Sequence, residues 1–270
     1  MPPQDPQRFV PSAQRAVRVK TRLLEHDVDI QAHHHAWGQM VFSISGVIRV
    51  NTERATFLVP PSRAVWIPPE VVHAVTAVER ADLRTLYMHQ ADGICGPGPT
   101  REEAAPWLQP RVIEVAPLLR ELILQLALEP EPELADSPSE RERGIANLIL
   151  DEIRRAKSLR LGVDLPQDKR LRRLCEAVLD APQRHASLHA WAAEVGASER
   201  TISRLFRQQL GSSYAQWRQQ VLLARALALA ARQQPMGLIA AELGYASASA
   251  FSAMVTRTVG MPPSRFFAEA

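Results

Sequence analysis

Between Val17 and Met88 the apolar residues come in short runs or alternate with polar ones, and turn residues separate the runs. Met40-Val41-Phe42-Ser43-Ile44, Val47-Ile48-Arg49-Val50, Ala64-Val65-Trp66-Ile67 and Ala74-Val75-Thr76-Ala77-Val78 each predict a strand. Many short strands at close spacing predict a β-sandwich or barrel. A loop rich in Gly and Pro, Asp92–Pro110, closes this region. The period then changes. Leu118, Leu119, Leu122, Ile123 and Leu126 predict one helix, and Ile145, Leu148, Ile149 and Ile153 a second. The acidic, proline-broken Glu129–Glu133 lies between them. Such a hairpin either caps the barrel or forms a dimer seam, and the pattern favours neither. After a second break at Gly162-Val163-Asp164-Leu165-Pro166 every pattern is helical. The expected organisation is therefore a β-rich domain over residues 1–110, a helical hairpin and linker over 111–165, and an all-α domain over 166–270.

Composition adds exclusions. The 270 residues are 46% hydrophobic and 23% charged, a globular balance that excludes a disordered or collagen-like chain. Cys95 and Cys175 are too few for a disulfide framework or a thiolate zinc site. Met1-Pro2-Pro3-Gln4-Asp5 lacks the features of a secretion signal, and Val221–Ala231 carries Arg225 in its middle, so we expect a cytoplasmic protein with no membrane partner. Charge is divided unevenly. Residues 166–270 hold thirteen Lys/Arg against seven Asp/Glu, whereas residues 1–165 hold nineteen against twenty-two. A basic final third suggests a polyanion-binding module joined to a part that binds something else.

That final third contains an internal repeat. Ala192-Ala193-Glu194-Val195-Gly196 recurs 48 residues later as Ala240-Ala241-Glu242-Leu243-Gly244. Ile202-Ser203 matches Phe251-Ser252, and Gly211 matches Gly260, now at an offset of 49. Each unit reads as helix, tight turn, helix, over about residues 188–209 and 236–259. In the first, Leu188, Trp191, Ala192 and Val195 mark a buried face that Ser187 caps, and Gly196 supplies a left-handed turn. Ser198 caps the next helix, whose buried stripe is Ile202, Leu205, Phe206 and Leu210. Arg200, Arg204 and Arg207 line its other side, the cationic face that a DNA-reading helix-turn-helix needs. Between the units, Tyr214 to Ala231 forms a helix of roughly 27 Å, with Trp217, Val221, Leu222, Ala224, Leu227 and Ala228 available for burial.

These residues carry a resemblance. Ser198 to Arg207, Ile239 to Phe251, and Gly260-Met261-Pro262-Pro263-Ser264-Arg265-Phe266 resemble the DNA-binding domain of the AraC/XylS family of bacterial transcription regulators. The resemblance covers Leu188–Ala270 and implies two helix-turn-helix units on a long connecting helix. It also implies double-stranded DNA as partner, and RNA polymerase if the protein is an activator, while the expectation of a homodimer rests on the two hairpin helices. DNA contacts are then expected at Ser198, Arg200, Thr201, Arg204, Arg207, Ser247, Ser249, Ser252, Thr256 and Arg257. One stretch departs from the family. Where it usually has Arg, an aromatic and Lys after Phe251-Ser252, this chain has Ala253, Val255 and Thr256, with Arg257 the cation that remains. The first unit is therefore expected to carry most direct base readout, and the second phosphate and shape contacts.

The N-terminal part holds a second cluster. His33, His35 and Gln39 share parity on a presumptive strand, and Pro68-Pro69-Glu70-Val71-Val72-His73 puts another histidine at a strand start. His33-His34-His35-Ala36-Trp37-Gly38-Gln39, Gly46 and Pro68 to His73 resemble the cupin motifs, with Glu70 in place of the usual Gly and Gln39 in place of the commoner Glu. The resemblance implies a double-stranded β-helix barrel in which His33, His35, Gln39 and His73 ligate a divalent transition metal (nickel, cobalt, iron or zinc) or line a pocket for a small organic effector. His34 faces the other way, and Trp37 and Trp66 are expected in the core or pocket wall. The expected whole is a two-domain regulator, not an enzyme, in which a small molecule or metal in the barrel controls DNA binding. It would sit in the cytoplasm, on the nucleoid when DNA-bound. The alternative is a metal-dependent cupin enzyme with an accessory helical domain.

Overall fold

Eight strands follow one another first: β1 (Val17–Leu24), β2 (Asp29–His33), β3 (Gly38–Ser45), β4 (Ile48–Thr52), β5 (Ala55–Val59), β6 (Arg63–Ile67), β7 (His73–Ala77) and β8 (Ala81–Met88). Then come β9 (Arg111–Glu114), helices α1 (Pro117–Leu128) and α2 (Glu140–Arg155), β10 (Ser158–Leu159) and β11 (Gly162–Asp164). Helices complete the chain: α3 (Lys169–Asp180), α4 (Leu188–Glu194), α5 (Glu199–Leu210), α6 (Tyr214–Ala231), α7 (Met236–Glu242), α8 (Ala248–Val259) and α9 (Pro263–Phe266). These elements come from a computed structural model that describes residues 9–61, 63–91, 94–98, 100, 104–128, 137–159, 162–185, 187–260 and 262–267. The acidic Glu129–Glu133 loop lies outside the described residues, as do parts of Asp92–Pro110. The chain divides into two units, Met1–Thr52 with Val59–Arg160 and Glu53–Leu58 with Leu161–Ala270.

In the first unit the strands build two antiparallel sheets. One has the order β1-β8-β3-β6-β9-β10, and the other runs β4-β7-β2. The period of two along each strand sorts the side chains of the larger sheet between its faces. Met40 and Phe42 of β3, Trp66 of β6 and Leu86 of β8 point to one face and join Leu119, Ile123 and Leu126 of α1 and Ile145, Ile149 and Ile153 of α2 in one core. The intervening residues Gln39, Leu83, Thr85 and Tyr87 line a pocket together with Ile30 and Val75 of the smaller sheet. With both faces covered, β3 is buried from Gly38 to Ser43, which is why its sequence reads as a run and not as an alternation. The helical hairpin thus caps the sheet. Leu118, Leu128 and Leu148 are left outward, 53%, 75% and 50% exposed.

From Lys169 onward the second unit is helical, as expected, and one short ladder precedes the helices. Gly162-Val163-Asp164, expected as a break, pairs antiparallel with β5, Gly162 opposite Phe57 and Asp164 opposite Ala55. Val163 is buried with Leu171, Leu174, Trp191, Phe206 and Trp217. The Trp217 indole N–H donates to the Asp164 carbonyl at 2.8 Å and ties the ladder to α6. α6 spans the residues the sequence predicts, capped by Ser213 and Gln216 in a reciprocal capping box. Among the described residues no helix is long and apolar enough to cross a membrane.

Gly46 turns the chain from β3 to β4 with φ +77°, and a Cβ there would overlap the Arg80 carbonyl oxygen. Gly46→Ala is expected to lower unfolding stability by about 1–3 kcal/mol from backbone strain, with the overlap adding to it. Urea denaturation checks this; an unchanged midpoint would show that the turn adapts.

Candidate ligand pocket and DNA-reading helices

The histidines meet because two strands bring them together. β2 pairs with β7, Asp29 opposite Thr76 and Ile30 opposite Val75, and after an irregularity His33 stands opposite His73. The sequence expectation of one strand from His33 to Gln39 is corrected here. His33 ends β2, His35 lies in the connection, and Gln39 is the second residue of β3. The chain turns at residues 34–37, where the Trp37 ring stacks on His35 with centroids 5.0 Å apart and planes 9° apart. All four residues still reach one place. The ring centroids of His33 lie 4.9 Å from His35 and 4.4 Å from His73, and one nitrogen of each imidazole lies within 4.8 Å of the others.

Hydrogen bonds fix two of the rings. A backbone carbonyl only accepts, so His33 Nδ1 donates to Gln31 O at 2.7 Å and His73 Nδ1 donates to Val71 O at 2.8 Å. In both, Nε2 keeps its lone pair. His35 Nε2, His73 Nε2 and Gln39 Oε1 are buried without a hydrogen-bond partner. Burial, then the neighbouring His33 and His73, pulls His35 down to about 3; burial takes His73 to about 4 against the opposing bond to Val71. Burial also lowers His33. At neutral pH the three imidazoles are uncharged.

His33, His35 and Gln39 line a pocket of about 20 Å³ together with Ile30, Val75 and Leu83. Lys20, Arg22, Thr85 and Tyr87 also line it, and the lining contains no carboxylate. Sequence reasoning missed these four; Lys20 and Arg22 share parity on β1, but Arg18 does too, so the pattern reads as a polar face. His34 points away as expected, exposed, with Nδ1 3.0 Å from Glu70 Oε2. Trp66 is fully buried. Glu70 stands where the cupin motif has glycine and keeps the glycine conformation, with φ +63°. Its N–H donates to the His35 carbonyl at 2.7 Å, so the turn also holds the backbone of a pocket residue.

In the second unit each repeat folds as its sequence pattern predicts. Ser187 and Ser198 cap α4 and α5 through bonds from Ala190 N and Thr201 N. Gly196 and Gly244, at φ +67° and +79°, make the two left-handed turns. Ile202 and Phe206 are buried, whereas Arg200, Arg204 and Arg207 are exposed along the other side of α5. In the second repeat Ser247 caps α8, accepting from Ala250 N at 3.1 Å. Ser249, Thr256 and Arg257 are exposed, while Thr201 and Ser252 are half-buried. The hydroxyls of Ser198 and Ser247 are thus engaged in capping.

A β domain with a buried polar pocket, followed by duplicated helix-turn-helix units with an arginine-lined helix, defines a ligand-responsive DNA-binding regulator. The AraC-like ligand binding domain family matches residues 22–150, and the helix-turn-helix domain family matches residues 191–269. The chain belongs to the AraC family of transcription regulators. It is 29% identical over 239 residues to the HTH-type transcriptional regulator NimR of Escherichia coli, covering 87% of this chain and 81% of that protein. It is 30% identical over 116 residues to the arabinose operon regulatory protein of Salmonella typhimurium, covering 42% of this chain and 41% of that one. Among solved structures, ToxT from Vibrio cholerae aligns over 94% of this chain and 98% of its own at 9% identity and a TM-score of 0.37.

Glu70 yields a test of the site's frame. Glu70→Val puts a β-branched side chain at positive φ and is expected to cost about 1–3 kcal/mol. Glu70→Gly, which relieves the strain but loosens the unfolded chain, is expected to leave stability within about 1 kcal/mol of the starting protein. Equal losses in both variants, measured by chemical denaturation, would show that the carboxylate and not the backbone conformation matters.

Proposed function

We propose that this regulator senses a divalent transition metal held by His33, His35, His73 and Gln39, and that occupancy of the pocket alters its affinity for DNA. The observation that carries the reading is the set of buried, unpartnered acceptor atoms on His35, His73 and Gln39, with the His73 ring fixed by a bond from its other nitrogen. Uncharged imidazoles with an amide oxygen suit nickel, cobalt, zinc or iron. A bound ion supplies a fixed positive charge that draws β2, β3 and β7 onto one centre. The barrel acts as sensor and not as catalyst.

The exposed Leu118, Leu128 and Leu148 of the hairpin support a homodimer seam, as one apolar face remains after the other has capped the sheet. The protein works in the cytoplasm on the nucleoid, with RNA polymerase as a further partner where it activates. In the first repeat Arg200, Arg204 and Arg207 supply hydrogen bonds to guanine edges and phosphates.

Metal titration of the full-length protein tests the pocket. Stoichiometric binding of one of the four metals is expected, lost in His35→Ala and in His73→Ala. If none of the four binds, the histidines are the lining of an organic-effector pocket. Steady substrate turnover abolished by His73→Ala would make the barrel an enzyme. For DNA, Arg204→Ala is expected to cost about 1–3 kcal/mol and to relax preference at one position. Arg257→Ala should instead weaken all sequences alike. The opposite ranking, read from selected-sequence profiles of both variants, would reverse the assignment.

A further inference from the structure

The two reading helices belong to one sequence repeat and align residue with residue. At an offset of 49, the capping Ser198 and Ser247 coincide, as do the buried pairs Ile202 with Phe251 and Phe206 with Val255, and the closing Gly211 and Gly260. In that register the outward Arg200, Arg204 and Arg207 of α5 fall on Ser249, Ala253 and Thr256 of α8, and Thr201 falls on Ala250. All four α8 residues are exposed. Thr256 Oγ1 donates to the Ser252 carbonyl at 2.9 Å, so its hydroxyl is turned back onto the helix and its methyl remains to meet a partner. Where α5 presents guanidinium groups, α8 presents the methyls of Ala250, Ala253 and Thr256, with Arg257 beside them.

We propose that α8 reads thymine, its three methyls packing against thymine 5-methyl groups in the major groove, so that the half-site under the second repeat is T-rich while the half-site under the first is read through arginine. Thymine is the base that offers an apolar group in that groove, and alanine and threonine methyls are its ordinary partners. Side chains one or two carbons deep also let a helix sit closer to the base edges than arginines do, which short methyl contacts require. This goes beyond the earlier expectation that the second repeat supplies phosphate and shape contacts alone. It rests on the reading of the chain as a sequence-specific DNA-binding protein.

The experiment selects duplexes bound by the full-length protein from a random pool at fixed salt, then replaces each thymine of the selected site by deoxyuridine, which removes the 5-methyl and keeps the pairing. Two or more positions in one half-site are expected to bind about three- to fivefold more weakly per methyl removed. Positions in the other half-site should be indifferent. Ala253→Arg, which restores the register of the first repeat on an exposed site, is expected to shift the selected base at its position from thymine toward guanine. A selected site with unchanged dissociation constants after every deoxyuridine replacement would overturn the proposal and mark the alanine face as a surface for another protein. A pool that yields no preferred sequence at all would instead overturn the sequence-specific reading on which the proposal rests.

Discussion

The ladder between β2 and β7 is the constraint on which the sensor half depends. Its register sets His33 against His73, and the two backbone carbonyls two residues before each ring, Gln31 O and Val71 O, then hold both imidazoles in the same tautomer. Such bonds are local, i to i−2, so ring orientation follows from strand geometry and needs no distant support. The cost is clear. A buried polar atom without a partner is unfavourable by about 1–3 kcal/mol, and His35 Nε2, His73 Nε2 and Gln39 Oε1 are three of them. A fold keeps such a cluster where a bound group satisfies it.

Much of this was legible in the residues, because the relevant signals are short-range. The Arg200, Arg204 and Arg207 stripe and the Ser187 and Ser198 caps are local patterns, and the structure forms them as read. The 48- to 49-residue repeat fixed the location of the second unit. What failed was long-range or depended on packing. Gly162-Val163-Asp164 looks like a linker until it meets residues 55–57, more than a hundred positions earlier, and no local pattern shows that pairing. The His33-to-Gln39 segment has the parity of one strand, yet the stacking of Trp37 on His35 accompanies a turn that parity cannot reveal. The histidines were found by motif, whereas Lys20 and Arg22 were passed over because a cation in a strand reads as solvent-facing until the opposite sheet covers it.

The two repeats share a scaffold and differ in their surfaces. Buried positions keep their character, with Ile202 and Phe206 answered by Phe251 and Val255, because the helix-turn-helix angle depends on that packing. Outward positions are free of that demand and have diverged from arginine to alanine and threonine. Cations are denser on the first reading helix, with Arg200, Arg204 and Arg207 beside Glu199, than on the second, which carries Arg257.

Control of such a protein is a difference in binding free energy between two states. Couplings of about 1–3 kcal/mol change an affinity roughly 5- to 150-fold, and a ligand delivers them only if it binds one state better than the other. The pocket suits that role because its donors are already uncharged and oriented. Two are strand residues at the ends of β2 and β7 and a third is fixed by a stacked tryptophan, so little ordering cost opposes binding.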